Sequence, residues 1–385
     1  MCGSCVALAW LVCVSFPPLR RPLNASRLML TPIRSVPRTR SPSSPTRHPT
    51  LDCACDYGNE KEVGEGIRAA LDAGTCTREE LWVTSKLWNT FHAKEHVGAA
   101  LRRSLDDLQL EYLDLYLIHF PIPLKSVWVV RCSPRTGYLV LPRTRPSQSL
   151  FPCAYYAVVG LIPPAPPASL PLLLLTDPLP TPHFVFRYVD PSTRYPPEWV
   201  HDPTADAPTM ILADVPVRET WEAMELAHEA GLARNVGVSN FNCQLLSDVL
   251  TYAKVKPAVN QIEVHPYLQQ DKLLAYCASV GVEVTGFSPL GSASYIELGA
   301  TLDDDVPGIL NEPALATIAE AHGKTPAQVA LRYTVQRGCS IVPKSTNSGR
   351  LQQNLDLFAE GFVLSEEEMT TMGGLERNLR FNDPV

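Results

Sequence analysis

Four polar side chains in the first third of the chain have the chemistry needed to protonate a carbonyl group. Tyr57 is the candidate acid, Lys86 and Asp52 form a candidate ion pair beside it, and His119 is a candidate for orienting the substrate. A free tyrosine has a pKa of ~10 and gives up its proton reluctantly at neutral pH. A neighbouring ammonium favours the phenolate and lowers that pKa, while a carboxylate would fix the lysine in position. A neutral imidazole could then hold the carbonyl through its ring N–H. Together these residue types suggest carbonyl reduction.

These residues belong to a region in which short apolar segments alternate with amphipathic ones. The pattern predicts strands over 51–57, 80–87, 112–120, 235–240, 258–264, 282–287 and 340–345. It predicts helices over 62–74, 95–110, 218–231, 244–253, 271–281, 312–323 and 325–338. Strict alternation of strand and helix predicts a parallel sheet. Two capping boxes, Thr325 with Gln328 and Ser365 with Glu368, indicate where two helices near the C-terminus begin.

The polar residues indicate how this sheet is closed. They follow the carboxyl ends of many different strands, and side chains from so many strand ends can converge only around a ring. The sequence therefore favours an α/β fold of the TIM (β/α)8 barrel type, with the active site at one mouth. Such a barrel needs eight strands and the pattern supplies seven, so a normal first β/α unit is missing. No GxGxxG motif follows a strand, which argues against a dinucleotide-binding Rossmann sheet.

Two segments differ in composition from the rest of the chain. Of 385 residues with 36 prolines and a net charge of -7, residues 1–50 and 126–187 hold 20 prolines and 12 arginines. They contain no lysine and one acidic residue, Asp177. The other 273 residues carry 21 basic and 39 acidic side chains, an ordinary composition for a globular domain. The acidic balance gives no sign of nucleic-acid binding.

We expect a barrel domain over 51–385 that is interrupted by a Pro/Leu-rich insert at 126–187. No helix or strand period persists in the insert, and five prolines argue against a membrane span over 154–175. It could be a Pro-rich linker or a translated intron, because pyrimidine-rich codons encode its composition. Residues 1–50 are an atypical N-terminal segment, either transit-like or a mispredicted exon. We expect a cytoplasmic protein, or a plastid protein if 1–50 is a genuine transit peptide. The scattered cysteines fit a reducing compartment.

Several motifs, in order along the chain, resemble the aldo-keto reductase superfamily. They are DCACDYGNE, WVTSKLWNT, YLDLYLIHFPI, RYPPEW, ARNVGVSNF, PAVNQIEVHPYL, GFSPLGS and IVPKSTNSGRLQQN. The resemblance covers roughly 51–125 and 188–385. It implies a TIM barrel that binds NADPH without a Rossmann unit and reduces aldehydes, ketones and open-chain sugars.

The resemblance also implies roles for individual residues. Tyr57 would be the general acid, Lys86 the partner that lowers its pKa, Asp52 the partner of Lys86, and His119 the residue that orients the carbonyl. Trp88 would line the substrate pocket together with His119. The residues implied at the nicotinamide are Ser239, Asn240 and Gln261 at its carboxamide and Phe287 on its ring. Those implied along the pyrophosphate are Ser288, Leu290 and Ser292. Those implied at the adenosine are Lys344, Ser345, Thr346 and Arg350 around the 2'-phosphate and Asn354 near the adenine. Two cations beside that phosphate favour NADPH over NADH.

The segment RYPPEWVHDP resembles members that reduce sugars and sugar phosphates, such as xylose (aldose) reductases and mannose-6-phosphate reductases. The expected function is therefore NADPH-dependent reduction of an aldehyde, an open-chain aldose or a sugar phosphate by a monomer. We expect a small-molecule carbonyl substrate and no metal, membrane or nucleic-acid partner. The alternative is a catalytically inactive, NADPH-binding regulatory barrel. The four intact catalytic candidates favour the enzyme.

Overall fold

The structure is a computed structural model, and it describes residues 50–124, 212–291, 308–345 and 347–382, together with the backbone of 127–131, 138–141 and 187–188. The chain divides into two compact units. One comprises residues 1–124 and 213–385, and the other comprises residues 125–212. Residues 1–49, where a family member's first strand would be sought, lie outside the described residues.

The first part of the larger unit alternates strand and helix as predicted. Its elements are β1 (Thr50–Asp52), α1 (Glu60–Asp72), β2 (Trp82–Leu87), α2 (Lys94–Leu108) and β3 (Leu115–Ile118). The prediction of one strand over 51–57 is wrong beyond its start. The strand ends at Asp52, and Cys55–Tyr57 form a 3-10 turn followed by Gly58 at a φ of 68°. This turn moves Tyr57 out of the sheet and into a loop.

The smaller unit corrects the expectation that the Pro-rich insert has no strand period. Its described backbone forms β4 (Val127–Arg131), β5 (Tyr138–Leu141) and β6 (Arg187–Tyr188). β4 pairs antiparallel with β5 and parallel with β6. The runs VWVV and YLVL, both near the start of the segment, are rich in β-branched and aromatic residues, which favour strands.

The chain then resumes the alternation in the larger unit. The elements are α3 (Val217–Glu229), β7 (Val236–Ser239), α4 (Cys243–Tyr252), β8 (Val259–Glu263), α5 (Asp271–Val280), β9 (Glu283–Phe287), α6 (Pro313–His322), α7 (Pro326–Gln336), β10 (Ser340–Ile341), α8 (Ser348–Leu355) and α9 (Glu366–Gly373). Both predicted capping boxes are confirmed, at the first turns of α7 and α9.

The strands of the larger unit form one curled parallel sheet. Among the described residues its order is β1-β2-β3-β7-β8-β9-β10, and every pairing is parallel. Gln261 Nε2 on β8 donates to Asp52 Oδ1 on β1 at 2.8 Å. In a flat sheet these strands, four steps apart, would be separated by about 19 Å. The sheet therefore curls into most of a barrel. This confirms the predicted barrel with seven of its eight strands.

Helices cover the outside of this sheet, and one glycine sets how closely two of them pack. A Cβ atom at Gly64 of α1 would lie 2.3 Å from the backbone oxygen of Asp107 on α2. Only a residue without a side chain allows this approach of the two helix backbones. The interior surfaces of α1 and α2 are lined by Val63, Ile67, Leu101 and Leu105, which are buried in the main hydrophobic cluster.

At the amino ends of β2, β3 and β7, four residues form what we call the arginine clamp: Arg78, Tyr112, Asp114 and Arg234. The guanidinium carbons of Arg78 and Arg234 lie 4.0 and 3.7 Å from the centroid of the Tyr112 ring. The carboxylate of Asp114 pairs with both arginines, at 2.8 and 3.6 Å. A shared anion and a shared ring thus join three strands at this end of the barrel.

Within the part of the chain that is described, no helix is both long enough and apolar enough to cross a membrane. The cysteines described there are all free, and four of the six are buried.

Candidate active site

Three of the predicted catalytic residues form one hydrogen-bonded array at the carboxyl ends of β1 and β2. Lys86 Nζ donates to Asp52 Oδ2 at 2.7 Å, to the Cys53 carbonyl at 3.0 Å and to Tyr57 Oη at 3.1 Å. These contacts use all three protons of the ammonium. The side chain of Lys86 is 1% exposed and that of Asp52 is 5% exposed, so the pair is shielded from solvent.

The strand register explains why these side chains meet. Asp52 is aligned with Thr84 on the neighbouring strand, and Lys86 follows Thr84 by two residues. Because strand side chains alternate in direction, Thr84 and Lys86 lie on the same face, which is the interior of the barrel. Ser85 lies on the opposite face, where its hydroxyl donates to Glu60 at 2.6 Å. Strand β2 therefore places the ammonium of Lys86 in the interior and, through Ser85, a hydrogen bond to helix α1 on the outside.

The charge of the ammonium is stabilised by its neighbours. Burial by itself would lower the pKa of Lys86, but the charges of Asp52 and Tyr57 and the hydrogen bonds to both outweigh that effect and raise it. Lys86 is therefore protonated at physiological pH. A buried charge is tolerated only when it is paired and hydrogen-bonded, as it is here.

Asp52 connects this array to a predicted cofactor residue. Its second oxygen, Oδ1, accepts the hydrogen bond from Gln261 Nε2. A carboxylate can accept only from the NH2 end of an amide, so Asp52 also fixes the orientation of the Gln261 side chain. One carboxylate thus positions both the lysine and the glutamine.

His119 follows β3 at the same end of the barrel. Its ring is perpendicular to those of Tyr57 and Trp88, with centroid separations of 6.1 and 5.5 Å, and is stacked on Phe120 at 4.7 Å. Trp88 is buried, with 2% of its surface exposed. The rings of Tyr57, Trp88 and His119 thus lie close together at this end of the barrel.

Two further predicted cofactor residues lie beside His119. Asn240 follows β7 with a φ of 63°, a left-handed conformation that asparagine tolerates better than most residues. Its Nδ2 donates to the His119 carbonyl at 2.9 Å and to Ser239 Oγ at 3.2 Å. The hydroxyl of Ser239 in turn donates to the Gln261 carbonyl at 2.8 Å. Ser239, Asn240 and Gln261 therefore form one connected group of polar side chains.

The other predicted cofactor residues lie after β9 and β10. Phe287 ends β9, and Ser288 follows it with a φ of 47°. Leu290 packs against a hydrophobic cluster that includes Tyr267 and Ile309. After β10, Ser345 is buried and its hydroxyl accepts from Arg350 Nε at 3.4 Å. Two predicted residues, Ser292 and Thr346, lie outside the described residues.

Helix α8 carries the remaining predicted residues of this group. Asn347 caps its amino end by accepting from the backbone N–H of Arg350 at 3.0 Å, and Lys344 precedes it by a few residues. Asn354, near the other end, is buried. Two cationic residues therefore lie close in sequence to the amino end of a helix, which carries partial positive charge of its own.

Comparison with known proteins identifies the family. The aldo/keto reductase family model matches residues 48–377. An NAD(P)H-dependent D-xylose reductase of Pachysolen tannophilus is 40% identical over 334 residues, covering 87% of this chain and 84% of that protein. One of Aspergillus niger is 38% identical over 335 residues, covering 87% and 84%. An aldose reductase structure from Schistosoma japonicum has 32% identity and a TM-score of 0.61, covering 86% of this chain and 80% of that one.

The chain belongs to the aldo/keto reductase family and is an oxidoreductase. This confirms the family resemblance inferred from the sequence motifs. Nothing in the relatives favours the alternative of an inactive regulatory barrel.

The sequence analysis missed two residues near the site. Asp56 lies in the same turn as Tyr57, with its Oδ1 3.2 Å from His119 Nδ1. His92 is buried, and this burial, with a smaller effect of nearby His119, lowers the pKa of His92 to about 3 and keeps it neutral. A carboxylate directly beside the candidate acid was a usable signal for Asp56. Nothing in the local sequence distinguishes His92 from a surface histidine.

Proposed function

We propose that this chain catalyses the NADPH-dependent reduction of an aldehyde or open-chain aldose to the corresponding alcohol. The observation that carries the proposal is the array in which the buried Lys86 Nζ contacts both Asp52 and the Tyr57 hydroxyl. A tyrosine hydroxyl bonded to a buried ammonium can release its proton because the resulting phenolate is stabilised.

In this reaction Tyr57 is the proton donor. When bound, NADPH supplies the hydride that the carbonyl carbon accepts. Tyr57 Oη transfers its proton to the carbonyl oxygen, so the C=O group gains one hydride and one proton and becomes an alcohol. The electron pair of the O–H bond stays on the tyrosine oxygen, where Lys86 stabilises the charge. Asp52 keeps Lys86 in place, and a proton from solvent restores the hydroxyl.

The rings of His119 and Trp88 prepare the carbonyl group for this transfer. His119 presents its ring edge-on to Tyr57. A neutral imidazole there donates a ring N–H to the carbonyl oxygen and directs it toward the phenol. Trp88 supplies an apolar surface that excludes water from the reacting atoms and lines the substrate pocket.

The chemistry of the donor set fits NADPH. Asn240 and Gln261 supply amide groups for the nicotinamide carboxamide, with Ser239 between them. Lys344 and Arg350 supply two cations beside the amino end of α8, where a helix favours anions. A phosphate on the adenosine ribose would gain from both charges, which supports NADPH over NADH.

We place the substrate among the aldoses. Two relatives are named D-xylose reductases, and a similar solved structure is an aldose reductase. The segment RYPPEWVHDP, which suggested sugar substrates, lies outside the described residues. Xylose is therefore the first substrate to test, with a sugar phosphate and an aromatic aldehyde as the comparisons.

The proposal is tested with the purified full chain, NADPH and xylose, followed by the loss of absorbance of the reduced cofactor. Tyr57→Phe removes one hydroxyl, and we expect kcat to fall by about 100-fold or more, as is typical on loss of a general acid. The NADPH dissociation constant, measured by fluorescence, should not change. Tyr276→Phe, on the outer helix α5, is the matched control. Tyr57→Phe with near-normal turnover on every carbonyl tested would refute the proposal.

The segment 126–187 can be tested by deletion. We infer that 126–187 is an insert that the barrel does not need. In the larger unit, Ala213 N donates to the Pro123 carbonyl at 2.9 Å, so the chain leaves and returns at nearly the same point. Joining Lys125 directly to Tyr188 should preserve folding and reductase activity. An insoluble or inactive deletion variant would show that the segment is required.

The cellular setting completes the proposal: the enzyme acts on a small carbonyl compound as a cytoplasmic monomer. Light scattering after gel filtration should give the mass of a single chain. Fractionation of source cells should place the activity in the cytosol, and its recovery in plastids would support the alternative that 1–50 is a transit peptide.

A further inference from the structure

One buried carboxylate outside the catalytic array is bound mainly by the C-terminal segment. Glu263 ends β8 and is fully buried. Its Oε1 accepts from the backbone N–H of Phe381 at 2.8 Å, and its Oε2 accepts from that of Asn382 at 3.1 Å. Arg380 Nη1 lies 3.6 Å from Oε2, and His265 Nε2 lies 3.0 Å from Oε1.

These partners make the carboxylate and the segment depend on each other. A buried carboxylate is costly unless donors replace its water shell. Residues 380–382 contribute two backbone N–H groups and a guanidinium, and of the partners named here only His265 comes from elsewhere. Charge-assisted hydrogen bonds of this kind are about twice as strong as neutral ones. Glu263 therefore holds residues 380–382 against the end of β8.

The same segment contacts the loop after β9. The ring of Phe381 lies 5.1 Å from that of His265. A Cβ atom added to Gly291 would lie 2.9 Å from Phe381 Cε2 and 2.4 Å from Ile309 Cδ1. Phe381 thus packs directly on the backbone of Gly291, in the loop that begins with Ser288.

The strand that carries the anchor also carries a site residue. Glu263 follows Gln261 by two positions and, across the sheet, is aligned with Phe287. The segment is therefore fixed at the point where two strands deliver residues expected to bind the cofactor. Its position is coupled to the loop from Ser288 to Gly291 by packing and to β8 by hydrogen bonds.

We infer that Glu263 is a positioning residue that anchors the C-terminal segment 380–382, through which Phe381 holds the loop Ser288–Gly291 in place for NADPH. The inference rests on the proposed NADPH-dependent function. It assigns to a residue that contacts neither substrate nor cofactor an effect on how tightly the cofactor is held.

The test uses Glu263→Gln in the full chain. The amide retains one acceptor but sets an NH2 group against one of the two backbone donors, so the anchor weakens without a change in shape. We expect the amides of the C-terminal peptide to exchange hydrogen for deuterium at least ten times faster. We also expect the NADPH dissociation constant to rise about tenfold. Glu283→Gln, at an exposed position on β9, is the matched control and should change neither quantity.

A second variant separates the anchor from any general damage to the fold. Phe381→Ala leaves the buried carboxylate and its backbone partners intact but removes the contact with Gly291. It should raise the NADPH dissociation constant in the same direction, and combining it with Glu263→Gln should add little further. Unchanged exchange in Glu263→Gln, or unchanged NADPH affinity in both variants, would overturn the inference. A wild-type chain that binds no NADPH would instead overturn the proposed function.

Discussion

Glu60 provides a quantitative test of the structure because its environment makes folding depend on pH. It lies on α1 and is 3% exposed. Its carboxylate accepts from Ser85 Oγ at 2.6 Å and from Ser104 Oγ at 2.9 Å. Burial raises the pKa of Glu60 to about 7, against the lowering effect of these two hydrogen bonds, and the nearby charges of Asp107 and Asp56 act in the same direction as burial.

The sign and size of the effect follow from linkage. The unfolded pKa is 4.5 and the folded pKa is about 7, so between these values the folded chain binds more protons than the unfolded chain. Stability therefore falls as pH rises through this window. The contribution of Glu60 to the free energy of unfolding is fully present below pH 4.5 and is lost above pH 7. At about 1.4 kcal/mol per pKa unit, the loss amounts to roughly 3 kcal/mol.

Glu60→Gln removes the titrating group but keeps a side chain of the same shape. Relative to the wild type, the variant should gain about 3 kcal/mol of unfolding free energy between pH 4.5 and pH 8. Urea unfolding followed by circular dichroism at several pH values in this range measures the difference. Other titrating groups cancel because they are common to both proteins.

Glu65→Gln, at an exposed position on the same helix, is the control and should show no such pH-dependent difference. If the wild type and Glu60→Gln differed by a constant amount across the whole range, the buried position and the raised pKa of Glu60 would both be refuted.

Four further predictions concern the candidate site and the packing of the helices. Lys86→Met should lower kcat by about 100-fold or more, measured by cofactor absorbance, and should lower the melting temperature because Asp52 loses its buried partner. Gly64→Ala should destabilise the chain by about 1–3 kcal/mol in urea unfolding, because its Cβ would collide with the backbone of α2. Gly98→Ala in α2, where a Cβ would meet only the side chain of Arg102 at 3.8 Å, should stabilise it by about 0.5–1 kcal/mol. Arg350→Ala should raise KM for NADPH and leave KM for NADH unchanged, in steady-state assays with either cofactor.

Periodicity and capping chemistry predicted most of the larger unit. The two capping boxes at Thr325 and Ser365 are local signals, formed by residues three apart, so they needed no knowledge of the fold. The barrel followed from the polar residues at successive strand ends. The hydrogen bond between Gln261 and Asp52, which requires a curled sheet, confirms that argument.

The errors arose where local pattern and tertiary contacts disagree. The apolar run LDCACDY suggested one strand, but Gly58 allows a turn with positive φ directly after Tyr57, and the chain leaves the sheet early. Helix α8 was not predicted, because its eight residues are mostly polar and only Asn347 marks its start.

The catalytic array could be proposed from motifs, whereas its supporting contacts could not. The dual use of Asp52 by Lys86 and Gln261 depends on residues 209 positions apart in the chain. The same is true of Glu263 and the C-terminal segment, which lie 118 positions apart. Long-range partners of this kind leave no periodic signal. The roles of the individual site residues remain predictions.

The arginine clamp has a consequence for how this enzyme could acquire new substrates. β2, β3 and β7 carry the clamp at their amino ends, and at their carboxyl ends they carry or directly precede Lys86, His119 and Ser239. The contacts that stabilise the barrel and the candidate site residues therefore lie at opposite ends of the same three strands. A chain with a strengthened clamp could tolerate destabilising changes in the loops at the other end, where a different carbonyl compound would be selected. Directed evolution of this barrel could begin at the amino ends of these strands, away from the candidate site.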